Sequence, residues 1–128
     1  MTVTEVINMV DDLSPNYYTP AQKLAWLASL DGKIYEEVIL THEGAEDVSY
    51  DPDSYVMDGT SLPDITLLVE EPYAADVYSF YLMSRIASAN AEISKYDQYA
   101  IQYNTAYSEW TSWYNRKHLP LKKGRWVL

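Results

Sequence analysis

In the final third of this 128-residue chain, Tyr96, Tyr99, Tyr103, Tyr107, Trp110 and the pair Trp113/Tyr114 recur at steps of three and four. That period keeps the rings on one side of an α-helix and would scatter them over both faces of a strand, so the segment must be helical. Behind the rings the charge reverses. Residues 1 to 115 carry 4 Lys/Arg against 19 Asp/Glu, a net charge of −15, whereas Arg116, Lys117, Lys122, Lys123 and Arg125 give the last 13 residues +5 with no acid. A chain divided in this way can dock its basic end on the acidic body of an identical neighbour or on a larger partner. It suggests a part of an assembly rather than an enzyme.

The remaining sequence is patterned for helices. Thr4 to Leu13 places Val6, Ile7, Val10 and Leu13 at helical spacing behind a Thr cap. Ser14-Pro15-Asn16 interrupts, and Thr19-Pro20 opens a second helix with a cap and a proline at the first helical position. Its inward stripe is Leu24, Leu27, Leu30, Ile34 and Val38, with Trp26 and Tyr35 flanking, and it should reach about Thr41 with a possible kink at Gly32. Gly44 to Asp64 is rich in acids, Gly, Pro and Ser and reads as an irregular loop, either functional or holding short strands. Ile65 to Val69 is either one such strand or an apolar anchor. A third helix begins near Pro72, with a packed face of Ala75, Tyr78, Leu82, Ile86, Ala89 and Ile93 beside Val77 and Tyr81. A break within Ser88 to Ser94 would make the third and fourth helices an antiparallel pair; without it they form one long rod. The break is favoured, because a lone rod has nothing on which to bury two apolar stripes. Leu119-Pro120 ends the last helix. The expected fold is all-α: a small bundle of about four helices over residues 1–118, with a long acidic loop and an extended basic tail over 119–128.

Composition narrows the chemistry. There is no cysteine, so disulfides and thiolate metal sites are excluded. Met1 to Val10 lacks a positive n-region and a sustained apolar run, so no signal peptide is expected, and no segment approaches the ~20 apolar residues that span a bilayer. Net charge of −10 opposes binding to nucleic acid or anionic lipid. Asp51, Asp53 and Asp58 suggest a calcium loop, but Val56 and Leu62 stand where that loop needs glycine and a bidentate acid. His42 and His118 have no second ligand at helical metal-site spacing, and no phosphate-binding or nucleophile motif occurs. The acid pairs Glu36/Glu37 and Glu70/Glu71 read as solvated helix faces, since adjacent helix positions do not face one another. No catalytic residue, metal or cofactor is expected.

Two sets of residues carry the expected function. Tyr99, Tyr103, Tyr107, Trp110, Trp113 and Tyr114 are candidates for a subunit interface, although such a ladder is more often core than binding site, and this one is broad enough to serve as both. With thirteen Tyr against one Phe, most large rings carry a hydroxyl that needs a partner or a wet boundary. Arg116, Lys117, Lys122, Lys123, Arg125 and Trp126 are candidates for partner docking, ahead of a DNA-contacting arm or a merely solubilising end.

The stretches SPNYYTPAQKLAWLASLDGKI (Ser14 to Ile34), EEPYAADVYSFYLMSRI (Glu70 to Ile86), NAEISKYDQYAIQYNTAYSEW (Asn90 to Trp110) and WYNRKHLP (Trp113 to Pro120) together resemble the head-tail connector, or adaptor, family of tailed phages and prophages of Gram-positive bacteria. The resemblance implies a non-enzymatic virion protein, assembled in the bacterial host cytoplasm. About a dozen copies would form a ring beneath the portal protein and extend the channel toward the tail-completion protein, with DNA as passing cargo and no membrane partner. It also implies that Arg116 to Leu128 is the arm that reaches the portal. Gly44 to Asp64 would then face the lumen or the tail. Another tail-completion or capsid-associated protein, or a small protein-binding helical module, is the alternative.

Overall fold

The computed structural model describes residues 1–121. Four α-helices, α1 (Val3–Leu13), α2 (Pro20–Ile34), α3 (Ala74–Ala89) and α4 (Ile93–Lys117), enclose one core. Among the described residues no strand ladder forms, and β pairing is limited to three isolated bridges. The all-α bundle expected from the sequence is what the chain adopts.

Each of the first two helices starts on a reciprocal cap. The Thr2 hydroxyl accepts from the Glu5 amide while the Glu5 carboxylate accepts from the Thr2 amide, and Thr19 and Gln22 repeat the arrangement. The α1 cap is therefore Thr2, and the helix begins earlier than expected. Val3, Val6, Ile7 and Val10 are buried, but Leu13 at its end is exposed. Leu24, Leu27, Leu30, Ile34 and Val38 all enter the core, each worth about 1.5–3 kcal/mol on transfer from water. Gly32 introduces no break in α2. The irregularity comes after it, as a π-helical turn over Tyr35–Ile39 in which the Leu40 amide donates to the Tyr35 carbonyl.

The segment between Gly44 and Asp64 contains two short 3₁₀ turns, Ala45–Asp47 and Pro52–Ser54, and is otherwise irregular. It is nonetheless tied down. Tyr50 stacks on Tyr35 at 4.5 Å, and Tyr55, Met57 and Leu62 pack against the core. Ile65 to Val69 is an anchor rather than a strand: Leu67 and Val69 are buried, while Thr66 makes a single bridge to Thr2.

Helices α3 and α4 are separate, joined by a tight turn in which Ala91 adopts φ 57°. Tyr73 meets Trp113 and Tyr81 meets Tyr103, so the two helices run antiparallel. The expected face of α3 is right at Tyr78, Leu82 and Ile86. It fails at Ala89 and Ile93, which are exposed because the turn between the helices carries them clear of the bundle.

A buried polar hub locks the loop to the helices. Asp31 lies on the apolar stripe of α2 with no exposed surface; its carboxylate accepts from the hydroxyls of Tyr55 and Tyr78 and from the Leu68 amide. Tyr78 in turn accepts from the Val69 amide at 2.9 Å. Burial pushes the Asp31 carboxyl above its ordinary value, and the three donors pull it part of the way back. A second buried charge, Lys23, is paired with Asp11 at 2.7 Å and with the Asn16 amide oxygen at 3.2 Å, fastening α2 to the end of α1.

Candidate functional site

The aromatic ladder changes character along α4. In the carboxyl-terminal half it belongs to the core: Trp110 and Tyr114 are fully buried, and the Trp110 indole donates to Glu70 at 2.9 Å. Glu70 is thus a half-buried acceptor preceding α3, not the solvated helix-face residue its pairing with Glu71 suggested. Tyr103, Tyr107, Trp110, Tyr114 and His118 follow one another ring to ring at 5.7, 5.8, 5.3 and 4.2 Å. Tyr99, Tyr103, Tyr107 and Trp113 keep part of their surface open. Burial raises the phenol pKa values of Tyr103 and Tyr107, and the nearby Glu37 carboxylate adds to it, so both are neutral hydroxyls available for hydrogen bonding.

The amino-terminal half of α4 is different. From residue 93 to 105 not one side chain is buried, yet Ile93 is 74% exposed, Ile101 66% and Tyr96 41%. Beside its first turn lies an open cleft of about 720 Å³ lined by Tyr17, Tyr18, Ile86, Asn90, Glu92 and Lys95 among others, and the Tyr17 ring stands wholly in solvent. The Tyr18 hydroxyl donates to Asn90 at 2.7 Å, so this end of the molecule is held in shape by contacts across the bundle.

The opposite end carries the root of the basic segment. Arg116 and Lys117 are exposed on the last turn of α4, where cations complement the helix dipole. The chain then doubles back along the end of α2: the Glu43 amide donates to the Leu119 carbonyl and the Leu121 amide to the Thr41 carbonyl, both at 2.9 Å. His42 sits beneath this pairing, with Nδ1 donating to the Val38 carbonyl and its other nitrogen meeting the Asn115 side-chain amide. His118 stacks on Tyr114 and its Nδ1 approaches the Glu43 carbonyl at 3.2 Å. Gly44, at φ 89°, completes the turn, and a Cβ there would come within 3.2 Å of the His118 ring. Both histidines fasten the root of the tail. Lys122, Lys123, Arg125 and Trp126, expected to dock a partner, lie outside the described residues.

Sequence reading overlooked Asp31 as a hub, although an acid at the 24, 27, 31, 34 spacing of an apolar stripe was a visible signal. It also missed the His42–Asn115 contact. These residues are 73 positions apart, and no local pattern links them. Among the described residues no group of three or more His, Cys, Asp or Glu could hold a metal ion, and no helix is long and apolar enough to cross a membrane.

Comparison with known proteins returns no matching family model, no matching curated protein and no matching solved structure.

Proposed function

We propose that this chain is a structural assembly protein, a head-tail connector or adaptor of a tailed phage or prophage whose copies join into a ring under a portal protein. The observation that supports this reading is the polarity of the molecule along α4. One end presents Tyr17 at an open cleft, with Ile93 and Tyr96 exposed on the first turn of α4, and the other presents Arg116, Lys117 and the root of a cationic segment. The 25 residues of α4 separate the two ends by about 37 Å. Two unlike surfaces at opposite ends suit heterologous, head-to-tail contacts, which close into a ring when the rotation between copies allows. The resemblance of the sequence to connectors points the same way, and the acidic body would repel DNA passing through a channel.

The test uses charged replacements at exposed apolar positions. Ile93→Lys with Tyr96→Lys should leave thermal stability within about 0.5 kcal/mol, because neither side chain is in the core. The same variant should lose ring formation, read by light scattering of the protein alone and by co-sedimentation with portal rings. A variant that assembles and binds portal like the parent would refute the reading.

A further inference from the structure

On the side of the α3–α4 pair away from α2 runs a groove of about 220 Å³. Its floor is Phe80, Ala106 and the 66% exposed Ile101, and Asp76, Gln102 and Glu109 form its rim. Asp76 and Glu109 take part in no ion pair among the described residues. An apolar floor sized for one large side chain, with acids on its rim, is the complement of a short segment with one aromatic ring and cations beside it. Lys122 to Leu128, KKGRWVL, has that composition: three cations, no acid, and Trp126 with Val127 and Leu128 behind it.

The tail root is fixed where Leu121 bonds Thr41 and His42 meets Asn115, beyond the carboxyl-terminal end of the groove's α4 residues. We propose that the Lys122–Leu128 segment of one copy docks in the α3–α4 groove of the next, with Trp126 on Phe80 and Ile101 and the cations opposite Asp76 and Glu109. The inference rests on the self-assembly reading and adds a contact to it, beside the one expected at Ile93 and Tyr96.

The test separates the two ideas. In a full-length chain with Lys122→Glu, Lys123→Glu and Arg125→Glu, the groove is left open to a synthetic KKGRWVL peptide, whose binding is followed by fluorescence anisotropy at low salt. Binding should weaken about tenfold when Asp76→Asn and Glu109→Gln are added, the effect of losing two or three exposed charge pairs. It should weaken at least as much with Ile101→Glu, which replaces a side chain outside the core and is checked for retained helicity. A peptide that does not bind, or binds equally to all three proteins, overturns the groove assignment. If the parent nevertheless gains mass with concentration, assembly uses another face and the functional reading stands. Peptide binding as expected, with a parent that stays monomeric at every concentration or with parent rings that form unchanged after the triple tail reversal, overturns the role given to this contact.

Discussion

Replacing Tyr78 with Phe removes one oxygen atom from the centre of the molecule and disturbs two partners at once. The ring is completely buried, and its hydroxyl donates to Asp31 and accepts from the Val69 amide. In the variant the Val69 N–H loses its acceptor, a loss of about 1–3 kcal/mol for a buried group, and the Asp31 carboxylate loses a charge-assisted bond worth about 1.5–3 kcal/mol. Some relaxation will recover part of this, so the expected loss is about 3–4 kcal/mol at neutral pH. For a chain of this length that lowers Tm by roughly 10 to 15 °C. The effect should also depend on pH in a set direction. The folded-state pKa of Asp31 is raised by burial above the ordinary 3.8, so the folded state holds its proton more tightly than the unfolded state does. Its destabilising contribution is therefore absent below that ordinary value and grows as pH rises through the folded one. Removing a donor raises the folded pKa further and makes the charged form harder still to keep. Urea unfolding of parent and variant at pH 7 and near pH 4 should give a larger difference at pH 7. A difference below about 1 kcal/mol at pH 7, or one that is larger in acid, would refute the account of the hub.

Removing Asp11 leaves the Lys23 ammonium buried with only the Asn16 oxygen, so Asp11→Ala should lose about 2–3 kcal/mol, whereas Lys23→Met removes the charge together with its need for a partner and should lose less than about 1 kcal/mol. Chemical denaturation of both variants checks the order, and a larger loss for Lys23→Met would contradict it. His42→Ala takes away the support under the tail root: hydrogen exchange at the amides of Glu43 and Leu121 should speed up at least tenfold while that of the α1 and α3 amides is unchanged. Unaltered protection at those two amides would show that the root is held by other contacts.

The helices were legible because their signals are local. Thr19-Pro20 announces a helix start whatever packs on it, and the 3–4 period of Leu24, Leu27, Leu30 and Ile34 states which side is buried. The break before Ile93 was also readable, since two long apolar stripes need each other. Periodicity could not say how far burial extends along α4. Tyr96 and Tyr114 occupy equivalent places in the repeat, but Tyr114 is enclosed by His42, Trp110 and His118, whereas Tyr96, next to the turn between α3 and α4, is 41% exposed. The long acidic loop looked unstructured because its attachments come from single residues. Tyr50 and Tyr55 reach partners on α2 through side chains, which leave no periodic trace in the sequence. At the candidate site, the cationic root was visible in composition, while its attachment to residues 41–43 depends on backbone pairing across some 76 positions.

That attachment has a mechanical consequence. A pull exerted on the segment beyond Leu121 is first met by the bond between the Leu121 amide and the Thr41 carbonyl, and next by the one between Glu43 and Leu119. Until both yield, tension passes into residues 41–43 and through the π turn to α2, and the final turn of α4 is spared from unwinding. Force arriving through the basic end would thus be spread over two helices, as a strap sewn across a seam shares its load with both pieces of cloth.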